Sequence, residues 1–186
     1  SQNKALTNYI YFKTPDTLFE LLSLLDSIME DVCSIIDNQH DFNLNIISFG
    51  ITFTGAVDNQ NQHIIKSHNL DILSGKTLRN ILSPKRLDYL EQRNINVYMD
   101  NNSTSAAIAE KYNLYVPGNR NYKYRDAKNI MSIYLGAGIG AGLILNNRIY
   151  GGSANFAGEI GHIKVPTFPG LKEDYKEASC SCGSTN

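Results

Sequence analysis

Apolar residues in the first third of the chain recur in steps of three and four. They fall at Leu18, Leu21, Leu22, Leu25, Ile28, Met29, Val32, Ile35 and Ile36, which is one stripe of a helix. Pro15 and Asp16 give that helix its opening. Elsewhere the period shortens. Residues 8–13, NYIYFK, alternate and predict a strand. LNIISFGITFTG (44–55) predicts a buried strand ending in Gly55. AVDNQNQHIIKSH (56–68) predicts a strand, an Asn/Gln turn and a second strand. Residues 75–92 predict helix, interrupted near Ser83-Pro84, and INVYMD (95–100) predicts another strand. Ser103 or Thr104 is placed to cap the helix whose body is SAAIAEKY. NIMSIYLGAGIGAGLILNNRIYGG (129–152) predicts strand, glycine turn, strand, Asn-Asn turn and strand. This alternation of strands and helices puts the chain in the α/β class. The polar run at 117–128, with Arg120, Lys123, Arg125 and Lys128, reads as a solvated connector. It divides the chain into two lobes, 1–120 and 121–186.

The 186 residues are enough for one large domain or two small lobes around a sizeable core. A hydrophobic fraction of 42% excludes disorder as the class. The formal net charge of -1 gives the chain as a whole no pull toward nucleic acid or an anionic membrane. No apolar run reaches the ~18 residues of a membrane span, and no charged-then-apolar leader is present, so a cytoplasmic location is expected. Of three cysteines, Cys33 falls in the helical pattern and is expected as a buried small hydrophobe. Cys180 and Cys182 form C-x-C near the end, and the odd count argues against a secreted disulfide scaffold.

Three segments carry chemistry. In LGAGIGAG (135–142), Gly136, Gly138, Gly140 and Gly142 alternate. Such a backbone can present N–H groups to an anion or a sugar hydroxyl, or simply form a tight hairpin. Because Leu143–Leu145 reads as strand, the run is not a nucleotide-binding strand-to-helix turn. In FAGEIGHIKV (156–165), Glu159 and His162 can each grip a hydroxyl, the first as acceptor and the second as donor or acceptor; surface decoration is the ordinary alternative. Cys180, Cys182 and His162 are the right donor types for tetrahedral zinc, although a closed structural site has four ligands. Free thiols are the alternative.

Together these motifs resemble the ROK family, named for repressors, open reading frames and kinases. GITFTGAVD (50–58) is similar to the family's G-x-x-x-x-G-x-V-D, and NNSTSAAIAE (101–110) partly matches its N-D-x-N-x-x-A-x-x-E. GAGIGAG (136–142) matches its second glycine loop, and GSANFAGEIGH (152–162) carries every fixed residue of G-x-x-x-x-A-G-E-I-G-H. CSCGSTN (180–186) begins the zinc run C-x-C-G-x-x-G-C. The resemblance implies an actin-like, ribonuclease H-like two-lobed α/β fold, incomplete in this chain, with the first strands missing from the 1–120 lobe. It implies sugar contacts from Asn101, Asn102, Glu159 and His162, with Gly55 at the pocket edge. Gly136, Gly138 and Gly140 would form the phosphate-side glycine loop. Zinc would sit on His162, Cys180, Cys182 and a cysteine at the next residue.

The departures decide the function. In the family's kinases the second residue of N-D is the general base, and here it is Asn102, whose amide has no basic lone pair at pH 7. No D-x-G-x-T phosphate loop is readable, and 17 residues separate His162 from Cys180, implying a loop insertion. The expected function is the effector-binding portion of a ROK-type transcriptional repressor of the xylose-repressor or N-acetylglucosamine-repressor type. It would take a small sugar or sugar phosphate, work as a homodimer and read DNA through a segment absent from this chain. The alternative is a fragment of a ROK sugar kinase, in which case ATP is the cosubstrate.

Overall fold

The computed structural model describes residues 10–38, 46–67, 69–113, 126–136, 138–164, 180, 182 and 183. The predicted connector lies outside them from 117 to 125, as do residues 8–9, 44–45 and 68 of the predicted strands.

Helix α1 spans Leu18–Asp37. Thr17 caps it: its hydroxyl oxygen accepts from the Glu20 amide at 3.3 Å and donates to the Glu20 carboxylate at 2.7 Å. Of the predicted stripe, Leu21, Met29 and Ile36 are buried, and Cys33 lies with them as expected. Strand β1 (Ser48–Phe53) pairs in parallel with β4 (Asn96–Asn101), so that Phe53 faces Asn101 at the shared C-terminal end. The hairpin of β2 (Ala56–Asp58) and β3 (His63–Lys66) follows β1 directly. Leu21 of α1 packs with Phe53, Val57, Ile64 and Met99, closing one half of the core. Met29 and Ile36 pack with Leu90 and Ile95 in the other half.

Between the hairpin and β4 lie the short helix α2 (Leu78–Ile81) and α3 (Pro84–Gln92). The interruption is where Ser83-Pro84 predicts it. Leu82 and Ser83 are extended, Ser83 because the residue before proline is driven out of the helical region, and Pro84 then starts α3. Helix α4 (Asn102–Asn113) follows β4 without a linker and packs on β5 (Ile130–Leu135) and β6 (Ile139–Leu145). Strand β7 (Arg148–Ile149) completes that sheet in the order β5-β6-β7, through a turn in which Asn146 and Asn147 both have positive φ. No helix among the described residues is long and apolar enough to cross a membrane.

Two expectations are corrected. Residues 10–13 form no strand; Tyr11 is 89% exposed. Alternation supplies a strand's side-chain pattern, but a ladder also needs a neighbour, and none of the described strands pairs with this segment. The cap of α4 is Asn101 rather than Ser103 or Thr104. Its side-chain oxygen accepts from the Ser103 and Thr104 amides at 2.7 and 3.1 Å, and the cap lies two or three residues earlier than expected because β4 runs straight into the helix.

A buried cation ties α1 to α3. Arg86 is 6% exposed. It donates to Asp26 through Nε and Nη2, both at 3.2 Å, and to Glu30, while Ser83 donates to Asp26 at 2.7 Å. The hydrogen bonds from Arg86 and then Ser83 hold the Asp26 carboxyl below the usual carboxylate range. A folded value below the unfolded one contributes stability that is present above the unfolded pKa of about 3.9 and is lost as pH falls through the folded value. Asp26→Asn is therefore expected to lower stability at neutral pH and to flatten its decline below about pH 4. Urea denaturation at pH 7 and pH 3 measures both.

Candidate functional site

The C-terminal end of β1, the N-terminus of α4 and the segment after β7 meet around one cavity of about 480 Å³, within the range of small-molecule sites. Gly55, Asn101, Asn102, Gly138, Gly140, Glu159, His162 and Cys180 all line it. The fold thus brings Gly55 together with Cys180, 125 positions away in sequence.

Asn101 holds the floor. Its oxygen caps α4 as described, and its Nδ2 donates to the Gly55 carbonyl at 2.6 Å, tying the end of β1 to the helix start. Asn102 follows on the first turn of α4, with its Oδ1 accepting from the Ser103 amide at 2.9 Å. Asp100 faces elsewhere. It lines a separate cavity of about 310 Å³ on the other side of β4, where its carboxylate accepts from Asn59 Nδ2 at 3.0 Å and from the Asn101 amide at 2.7 Å. Alternation along β4 sets Asp100 and its neighbour Asn101 on opposite faces, and the turn into α4 carries Asn102 to the Asn101 side. Among the described lining residues of the larger cavity, Glu159 is the one carboxylate.

Glu159 precedes a single 3-10 turn, Ile160–His162. That turn brings the two side chains to one side, with His162 Nε2 at 3.6 Å from Glu159 Oε2. The other ring nitrogen, Nδ1, lies 3.7 Å from Cys180 Sγ and 3.4 Å from Cys182 Sγ. The three donor atoms lie within 4.8 Å of one another. Tetrahedral zinc with ordinary Zn–S and Zn–N bonds requires N···S edges of about 3.5 Å, so the three residues fit zinc. Metal on Nδ1 would leave Nε2 directed at the cavity with its orientation fixed.

The glycine run divides its work. Gly136 closes the β5–β6 turn, its amide donating to the Gly138 carbonyl at 2.9 Å. Gly142 permits close packing: a Cβ there would stand 2.2 Å from the Ser103 carbonyl oxygen and 2.6 Å from Ala107 Cβ. Helix α4, which begins at Asn102, can rest on β6 only because that side chain is missing.

Thr54, Asn69, Ser103 and Tyr134 also line the cavity and were not picked out from sequence as site residues. Thr54 and Tyr134 adjoin recognised motifs, Thr54 beside Gly55 and Tyr134 two residues before the glycine turn. Asn69 has no local signal, because only the return of the chain after β3 brings it to the cavity.

The ROK family model matches residues 15–186. The chain is 27% identical to the xylose repressor of Caldicellulosiruptor bescii over 139 residues, 75% of this chain and 29% of that protein. It is 29% identical to an N-acetyl-D-glucosamine kinase of Escherichia coli over 163 residues, 85% of this chain and 48% of that protein. The chain thus spans less than half the length of either relative. Among solved structures, a ROK family glucokinase from Streptomyces griseus, in complex with glucose and AMPPNP, aligns with a TM-score of 0.56 at 24% identity, over 92% of this chain and 45% of that one. A ROK family transcriptional regulator, homolog of the E. coli MLC protein, aligns with a TM-score of 0.53 at 20% identity, over 86% and 35%. These likenesses establish the actin-like α/β fold. With the motifs gathered at one cavity and the family model covering nearly the whole chain, this protein belongs to the ROK family.

Proposed function

We propose that this chain is the sugar-sensing portion of a ROK-type transcriptional regulator, binding a small sugar or sugar phosphate between the 1–120 and 121–186 lobes without phosphorylating it. One observation carries the reading: Asn102 lines the cavity at the base position, while Asp100 is turned into a different cavity. An amide can hold a hydroxyl but cannot take its proton, and general-base assistance is worth ~10²–10⁴ in rate. Asn101, Asn102, Glu159 and His162 hold sugar hydroxyls in this reading. His162, Cys180 and Cys182 would hold zinc, which would supply structural rigidity by fixing the imidazole so that Nε2 meets the ligand in one orientation. DNA is read by a segment outside this chain, and the regulator is a homodimer in the cytoplasm. The likeness to an N-acetyl-D-glucosamine kinase favours a second reading, a kinase portion that uses ATP and a base other than Asn102.

Calorimetric titration of the intact protein with D-xylose, D-glucose and N-acetyl-D-glucosamine tests the proposal. At least one ligand of this class, or its phosphate, is expected to bind. Asn102→Asp is expected to change that affinity by less than tenfold, about 1.4 kcal/mol, because both side chains accept from a hydroxyl. A larger loss contradicts the role given to Asn102.

A further inference from the structure

We infer that Asp100 is a positioning residue: from the far side of β4 it sets the angle at which Gly55 and Asn101 meet in the ligand cavity. The inference rests on the sugar-binding reading above and adds to it a residue that does not touch the ligand.

Asp100 and Asn101 are successive residues at the end of β4, with side chains on opposite faces. Each takes hold of a different end of β2. On the cavity side, Asn101 Nδ2 donates at 2.6 Å to the carbonyl of Gly55, the residue before β2. On the other side, Asp100 Oδ2 accepts at 3.0 Å from Nδ2 of Asn59, the residue after β2. At ~3.3 Å per residue of strand the two grips are about 13 Å apart. A hairpin held at one end can tilt about that end; a second grip at this spacing fixes the angle.

Both ends of the link are themselves held. Asp58 Oδ1 accepts from the Gln60 and Asn61 amides at 3.0 and 3.1 Å, and its Oδ2 accepts from Asn61 Nδ2 at 2.8 Å. Gln62 Nε2 donates to the Asn59 carbonyl. The turn that presents Asn59 is thus tied within itself. Asp100 Oδ1 accepts from the Asn101 amide at 2.7 Å, so one carboxylate bears on Asn59 and on the residue that caps α4. Hydrogen bonds to a carboxylate are the stronger kind. The link runs from Asn59 through Asp100 to Asn101 and ends at two residues that line the cavity, Asn101 and Gly55. A misplacement of ~1 Å carried along such a link is enough to weaken a site far more than the loss of one surface contact.

The test is calorimetric titration of the intact protein and its variants with D-xylose, D-glucose, N-acetyl-D-glucosamine and their phosphates, with urea denaturation of each variant alongside. Asp100→Ala is expected to lower the affinity for whichever of these the wild type binds by at least about tenfold, within the range for residues that act on a site without touching its ligand. Asp100→Asn is expected to keep affinity within about threefold of wild type. Its oxygen accepts from the Asn101 amide, and its nitrogen donates to Asn59 once that side-chain amide turns over. Asn59→Ala, which leaves β4 untouched, is expected to lower affinity several-fold. Added to Asp100→Ala it is expected to change affinity by less than about twofold, because the link is already broken. A role in stability alone would lower the urea midpoint of Asp100→Ala and leave the affinity of the folded protein unchanged; that result overturns the inference. A loss in Asp100→Asn equal to that in Asp100→Ala, or fully additive losses in the double variant, overturns it as well. If Asp100→Ala does not fold, Asn59→Ala decides by the same comparison of affinity with stability. In each of these cases the sugar reading stands. Failure of the wild type to bind any of these ligands overturns the sugar reading itself, and this inference with it.

Discussion

Gly158→Ala is expected to destabilise the protein by at least about 3 kcal/mol and to abolish ligand binding. Two effects add at this position. Gly158 has φ +96, a conformation in which a Cβ is strained. That Cβ would also stand 1.9 Å from the Ala141 carbonyl oxygen, a backbone atom held in β6. The glycine cannot move away, because its own carbonyl accepts from the Ala141 amide at 2.7 Å and anchors the segment to the sheet. Relief requires 158–162 to leave β6, carrying Glu159 and His162 out of the cavity. Urea denaturation with a ligand titration measures both effects. Gly138→Ala is the control: it lines the same cavity, but a Cβ there meets nothing within 4 Å, so a stability change within about 0.5 kcal/mol is expected. A loss below about 1 kcal/mol for Gly158→Ala would contradict the rigid attachment of this segment to β6.

The second large effect concerns the thiol–imidazole cluster. Alanine at Cys180 or Cys182 is expected to weaken zinc binding by more than ~100-fold, since even an outer-shell partner of a metal ligand is worth ~10–100-fold. Sugar affinity is expected to fall as well, because His162 loses the constraint that directs Nε2 into the cavity. Chelation of the wild-type protein should reproduce that fall, and added zinc should reverse it. Competition with a chromogenic chelator reads the metal affinity, and calorimetry reads the sugar. Retention of full zinc affinity in both cysteine variants would show that the metal, if bound, sits elsewhere.

Local pattern made much of the fold legible. The stripe from Leu18 to Ile36 marked α1, the proline at 84 separated α2 from α3, and the turns at 59–62 and 146–147 marked two hairpins. These features depend on neighbours within a few residues, which a linear reading contains. The misses required information from elsewhere in the chain. Residues 10–13 alternate as a strand would, yet lie beside no described strand. Asn101 displaced Ser103 and Thr104 as the cap because β4 runs directly into α4, which propensity does not reveal. Asn69 reaches the cavity only through the path after β3. The separation of Asp100 from Asn102 follows from the strand-to-helix turn between them and was readable in outline, but the partners that hold Asp100 away, Asn59 and the Asn101 amide, come from the folded structure. Gly142 was visible as a glycine, whereas its role as the seat of α4 was not.

The reading of this protein as a sensor is tested most directly by phosphoryl transfer itself. The intact protein, loaded with zinc and saturated with the sugar that binds it, is incubated with ATP and Mg²⁺, and sugar phosphate is measured. Binding without turnover is the expected result, with any rate at least ~10²-fold below the ordinary enzymatic range of about 1–10³ per second. Phosphorylation within that range would contradict the assignment of Asn102 as a group that holds the hydroxyl and leaves its proton in place.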